Sequence, residues 1–272
     1  MRVGASGSRA PVENPEAEEP TMIEAFTRRS LIAVGLASLV VKPAAQPPSL
    51  RARSTTGRAQ GGQTGAPAGA ALPDARQWDR VFAQPKPIYR TEANAFLGFA
   101  LERMQREELL PGKAALDLAM GDGRNALLLA EKGLDVTGLD ISTVALEKAR
   151  AKAAEKKLVL NALEQDLFTY DYGSEKWDLI TVIYFNPAIQ IFERLKSAVK
   201  PGGLIVIEGQ GSEHVGDGPP PGTRFKPNQL LQIFGDWRVL DYQDGRFDCD
   251  WAQGPPTHVV RLMARKKPAK AK

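Results

Sequence analysis

The 272-residue chain has one cysteine, Cys249, and two histidines, His214 and His258. A single thiol excludes an intrachain disulfide and any cluster of cysteine ligands. Two imidazoles are too few for a dedicated zinc site, so no bound metal is expected. Long apolar runs are lacking too. The stretch from Leu31 to Val41 has eleven residues, against the ~20 that span a bilayer, so no stable membrane insertion is expected. An excess of positive charge is missing where it would matter. The formal net charge is +4, yet residues 73–264 hold 23 basic and 27 acidic side chains. The basicity sits at the ends: eight basic against five acidic residues over 1–72, and five basic with none acidic over 265–272. A broad basic groove for a phosphate backbone is therefore not expected, and no nucleic-acid partner is assigned. The chemistry must come from carboxylates, hydroxyls, amides and a bound cofactor.

The chain divides by composition. From Lys42 to Asp74 it is mostly Pro, Ala, Gly, Ser, Thr, Gln and Arg, which cannot offset the entropy of ordering and reads as a linker. Upstream, Thr27-Arg28-Arg29-Ser30 precedes the apolar run and resembles a twin-arginine export signal over about residues 22–46. A start at Met22 would leave a short n-region, although Pro43-Ala44-Ala45 is a poor cleavage site. An extension with an accidental apolar patch fits the same residues, so localisation stays open between export and the cytoplasm. The expected plan is an N-terminal segment over 1–74, one folded domain over 75–265 and a basic tail over 266–272.

Within the domain, periodicity switches repeatedly between helix and strand. Ala93, Phe96, Leu97, Ala100, Leu101 and Met104 fall on one helical face. Strands are expected at 114–119, 135–140, 158–165, 177–184, 204–208, 237–242 and 258–264. Helices are expected over 125–130, closing at Gly133, from Ser142 to about Lys156, over 187–199 and over 227–234. Short connections between alternating strands and helices imply a Rossmann-like three-layer α/β sandwich with a seven-stranded, mostly parallel sheet. No helix separates the final two strands, so the last is expected to run antiparallel in a hairpin.

Gly121 and Gly123 follow the first strand and open a helix, where backbone N–H groups meet a ligand. Asp140 ends the next strand, placed to accept from two ribose hydroxyls. Both features suit NAD and S-adenosylmethionine alike. Asp117 separates them: four residues before Gly121, its carboxylate would repel a pyrophosphate and attract an ammonium group. The run Asp117-Leu-Ala119-Met-Gly121-Asp-Gly123-Arg-Asn125-Ala resembles motif I of class I methyltransferases, with Ala119 in place of the usual first glycine. Gly123-Arg124-Asn125-Ala126 with Leu129-Ala130 is similar to small-molecule enzymes of the tellurite and thiopurine type. Gln165-Asp166-Leu167, Trp177 to Ile180, and Leu195-Lys196 to Pro201-Gly202-Gly203 match further family motifs. The resemblance covers about residues 90–265. It implies S-adenosylmethionine as cofactor, held by Asp117, Ala119, Gly121, Gly123, Asn125, Asp140, Ile141, Asp166, Leu167 and Tyr184.

Methyl transfer from a sulfonium needs alignment more than acid catalysis. The acceptor, expected to be a small molecule, is placed beside strand four near Tyr184, Phe185 and Asn186, with Trp78 to Asn94, including Tyr89, as a lid. Tyr184, Asn186 and Tyr89 are the candidate catalytic residues. Glu208 and His214 are possible bases, with His214 read as part of a mobile loop and His258 as structural. Two other readings stay open: an NAD-linked oxidoreductase, and a non-catalytic nucleotide-binding protein.

Overall fold

Trp177–Ile183 is buried at every position, as a strand covered on both faces must be. It is β4 of a seven-stranded sheet in this computed structural model, which describes residues 74–87, 89–215, 223–250 and 256–269. The twin-arginine and linker readings lie outside the described residues. The other strands are β1 (Ala114–Leu118), β2 (Asp135–Asp140), β3 (Leu160–Glu164), β5 (Val199–Gln210), β6 (Arg238–Phe247) and β7 (Thr257–Arg265). Their spatial order is β3-β2-β1-β4-β5-β7-β6. Every pair from β3 to β5 is parallel, and β7 runs antiparallel to both its neighbours. Order reverses between β1 and β4, the place where sheets of this kind bind ligands beyond their carboxyl ends.

The pleat sends alternate residues to two cores. Leu204 and Val206 pack with Ala115, Leu179 and Met263 beneath α2 (Ala95–Arg106), α3 (Arg124–Glu131) and α4 (Thr143–Glu155). Ile205 and Ile207 join Leu116, Ile180 and Val182 beneath α5 (Phe192–Ala198) and α6 (Gln229–Ile233). Ser142 caps α4, its hydroxyl accepting from the Ala145 N–H at 3.1 Å. Asn94 caps α2 by accepting from the Leu97 N–H at 2.9 Å, so that helix begins at Ala95 and leaves Ala93 outside.

Three expectations need correction. The single helix over 187–199 breaks into a 3-10 turn, Asn186–Gln190, and α5, because Ile191 leaves the helical region at φ −122° and ψ 3°. Strand five begins at Val199, with Pro201-Gly202-Gly203 absorbed as an irregularity between the Trp177–Val199 and Leu179–Leu204 pairs. His214 is buried, its Nδ1 3.0 Å from the Thr257 hydroxyl. The segment expected only as a lid contains a further helix, α1 (Ala75–Ala83), begun by a reciprocal capping box between Asp74 and Gln77.

Candidate active site

The turn from β1 to α3 has three left-handed residues within five: Ala119 (φ 51°), Gly121 (φ 56°) and Gly123 (φ 85°). A Cβ on Gly121 would lie 2.9 Å from the Phe82 ring, and one on Gly123 2.9 Å from the Ala149 Cβ. Ala119 carries its Cβ in a region that costs on the order of 1 kcal/mol. Gly123, as N-cap, gives α3 no side-chain cap of its own.

Beneath the turn lies Asp117, 1% exposed. Its Oδ1 accepts from the Thr181 hydroxyl at 2.6 Å, while its Oδ2 has no hydrogen-bond partner. Burial pushes this carboxyl up to about 7, helped by the Asp140 charge and opposed by Thr181, the Arg124 charge and the Ala126 N–H at the start of α3. Asp140 takes the Gly121 N–H on Oδ2 at 2.8 Å and the Ser142 N–H on Oδ1 at 2.9 Å. Burial raises it as well. The Asp140 carbonyl accepts from the Gln165 N–H at 2.9 Å, which draws the end of β3 to the same rim. There Asp166 is exposed and opens a tight turn by accepting from the Phe168 N–H, and Leu167 is buried. Ile141 follows Asp140 and is half-buried. The β1, β2 and β3 residues expected to hold a cofactor are thus together. Asn125 is turned elsewhere, its Oδ1 accepting from the Asn94 N–H at 2.9 Å.

The acceptor candidates sit differently. Tyr184 follows β4 at φ 58°, an unusual backbone for a bulky residue. Its hydroxyl donates to Glu208 Oε1 and accepts from the Asp250 N–H. Burial, with Glu208 and Asp250 nearby, drives that hydroxyl far above its ordinary range. Asn186 is committed to the backbone of Gln210, donating to its carbonyl at 2.8 Å and accepting from its N–H at 3.2 Å. Tyr89 is drawn to the glycine turn, with its hydroxyl on the Asp122 carboxylate and its ring 5.8 Å from Phe82. Glu208 has three donors: besides Tyr184 it accepts from Asn94 Nδ2 at 2.9 Å and Arg261 Nε at 2.7 Å. His258 is locked between the Glu213 N–H and Asp244, in keeping with a structural role.

Sequence reasoning missed the buried network that joins these parts. Arg124 donates to Asp250 at 2.7 Å and to the carbonyls of Arg90 and Glu92. Asn94 reaches both Glu208 and Asp250. The lid helix α1 is tied at its own end. Asp79 accepts from the Ser142 hydroxyl at 2.7 Å, and Lys148 reaches the Phe82 carbonyl. Arg124 could have been suspected, since a cation at the start of an apolar helix invites a buried partner. Asp250 carried no such signal.

A glycine turn above a buried, half-satisfied carboxylate, with a second carboxylate at the next strand end, defines a Rossmann-like domain with a cofactor rim. Residues 115–203 match the family described as a methyltransferase domain. Hemagglutinin 1 of Eikenella corrodens is 29% identical over 162 residues, covering 56% of this chain and 54% of that protein. The ubiquinone biosynthesis O-methyltransferase of Coxiella burnetii is 24% identical over 190 residues, covering 61% of this chain and 79% of that one. The crystal structure of TehB from Haemophilus influenzae shares the fold at a TM-score of 0.53 and 22% identity, over 62% of each chain. This chain therefore spans about half the length of the first of these curated relatives.

Proposed function

We propose that this protein transfers the methyl group of S-adenosylmethionine to a small-molecule acceptor at the carboxyl rim of β1, β2 and β4. The observation that carries the reading is the unpartnered Oδ2 of Asp117, buried beneath the glycine turn. A buried carboxylate oxygen without a donor is costly unless something supplies one. The ammonium group of the cofactor's amino-acid portion is such a donor, and a pyrophosphate is not. Asp140 retains acceptor capacity on both oxygens for ribose hydroxyls, since each takes one backbone N–H. Asp166 and Leu167, at the end of β3, are the residues that would meet the adenine, and Ala119 and Gly121 those that would meet the portion between.

When bound, the sulfonium supplies the methyl group, and its departing thioether needs no protonation. The chain's own residues then have to hold the acceptor in line and exclude water. Such positioning can contribute on the order of 7–11 kcal/mol. Tyr184, fixed between Glu208 and Asp250, shapes that place, and α1 with Phe82 and Tyr89 covers the glycine turn. Glu208, buried and paired with Arg261, serves to hold Tyr184 and Arg261. It is not a free base.

The test is calorimetry of the purified protein with S-adenosylhomocysteine and with NAD. Saturable binding of the first and none of the second is expected, with Asp117→Ala weakening binding by roughly 1.5–3 kcal/mol, the scale of a hydrogen bond to a charged group. Tight NAD binding would reverse the assignment.

A further inference from the structure

Gln210 ends β5 and is 0% exposed, yet neither Nε2 nor Oε1 of its side chain has a hydrogen-bond partner. Its backbone is not the reason. The Gln210 N–H goes to Asn186 Oδ1, and its carbonyl accepts from Asn186 Nδ2 and from the Phe225 N–H. Asn186 thereby fixes the direction in which the side chain leaves the strand. Strand alternation puts that side chain on the face of Glu208, two residues earlier, opposite Val259 of β7. Arg261, opposite Glu208, lies over the rings of Phe96 and Phe247, 5.6 and 4.4 Å away.

The charges around this place are already matched. Arg261 pairs with Glu208 at 2.7 Å, and Arg124 pairs with Asp250 at 2.7 Å. What stays unspent is one neutral amide, a donor and an acceptor side by side at the carboxyl end of the strand next to Tyr184. Leaving both ends dry costs the desolvation of each, and an apolar residue of equal length would avoid that cost. We infer that Gln210 determines acceptor specificity by reading a neutral, planar edge that presents a donor beside an acceptor: a lactam, a carboxamide or a hydroxy-substituted nitrogen heterocycle. A side-chain amide reads base edges through the same paired geometry. A carboxylate would answer Nε2 but repel Oε1. An ammonium would do the reverse. The inference rests on the methyltransferase reading, since it places the acceptor on that rim.

The experiment uses the full chain saturated with S-adenosylhomocysteine and ligand-observed NMR titrations of 2-pyridone, N-methyl-2-pyridone and benzoate. The two pyridones differ only at the ring nitrogen, where a methyl group replaces the N–H donor. Wild type is expected to bind 2-pyridone at least about tenfold more tightly than either of the others, a step on the scale of one net hydrogen bond. Gln210→Met should abolish the difference while leaving the melting temperature and the S-adenosylhomocysteine affinity undiminished. Gln210→Asn, which keeps both groups but sets them back, should retain part of it and serves if the Met variant fails to fold. Equal binding of the two pyridones to wild type, no saturable binding of 2-pyridone, or a preference unchanged in the variants would overturn the inference. Failure to bind S-adenosylhomocysteine overturns the methyltransferase reading instead, so the two failures are separable.

Discussion

Asp117 shows what one residue contributes and what it costs. Burial holds its carboxyl at about 7 in the folded protein, against an ordinary value of 3.8. Below the ordinary value both states are protonated and the group is neutral to folding. Between the two values the unfolded chain gives up its proton while the folded chain keeps it. Stability therefore falls as pH rises through that window and levels off above about 7. A cationic partner at Oδ2 reverses the preference by favouring the ionised form. S-adenosylhomocysteine should consequently bind about tenfold more weakly at pH 6 than at pH 8, the change in ionised fraction across a pKa near 7. Asp117→Asn should flatten that profile. Calorimetry at three pH values checks it, and a flat wild-type profile would remove Asp117 from the cofactor. The position of Asp117 was legible in the sequence, because a carboxylate before a glycine pair is chemically specific. Its unpartnered oxygen was not, since that depends on Thr181, a residue of another strand.

At the scale of elements, what the sequence displays is what local period and caps control. β1, β2, β4, α3 and α4 emerge almost as expected because each alternation or apolar stripe ends at a residue suited to ending it, such as Gly133 or Ser142. Readings fail where distant parts decide. The helix over 187–199 breaks at Ile191, after a 3-10 turn that Asn186 ties to Gln210 of β5, and α1 packs through Phe82 and Asp79 on Gly121 and Ser142. The same holds for the network that pins residues 90–94. Arg124 and Asp250, 7% and 12% exposed, form an ion pair that no spacing rule anticipates. Removing one member leaves the other charge buried. Arg124→Met should lower stability by roughly 3–5 kcal/mol, whereas Arg124→Met with Asp250→Leu should recover most of the loss. Urea unfolding of the single and double variants reads this out. A single-variant loss below about 1 kcal/mol would mean the pair does not hold the segment in place.

For the whole molecule the question is what kind of acceptor can approach. Residues 73–264 carry 23 basic and 27 acidic side chains, so the long-range field of this region does not draw in a phosphate backbone. The structure sharpens the point at the rim itself. Arg124 and Arg261 are spent on Asp250 and Glu208, and Lys152 is spent on Asp122. These cations would otherwise be the ones to meet phosphates beside the glycine turn. On the proposed reading, an acceptor at this rim would meet Tyr184 and the Gln210 amide rather than unpaired cations, as suits a small molecule. The decisive measurement is a transfer assay with radiolabelled S-adenosylmethionine against total nucleic acid, a protein extract and a panel of neutral small molecules bearing N–H, O–H or S–H groups. Label should enter the small-molecule fraction, fall at least about tenfold in Tyr184→Ala, whose hydroxyl holds Glu208 and Asp250 in register, and change little between low and moderate salt. Label in nucleic acid that drops steeply with salt would show that phosphates are being bound by groups outside this rim, because each released counterion steepens that dependence. A small-molecule acceptor would then be the wrong conclusion, however well the cofactor site behaved.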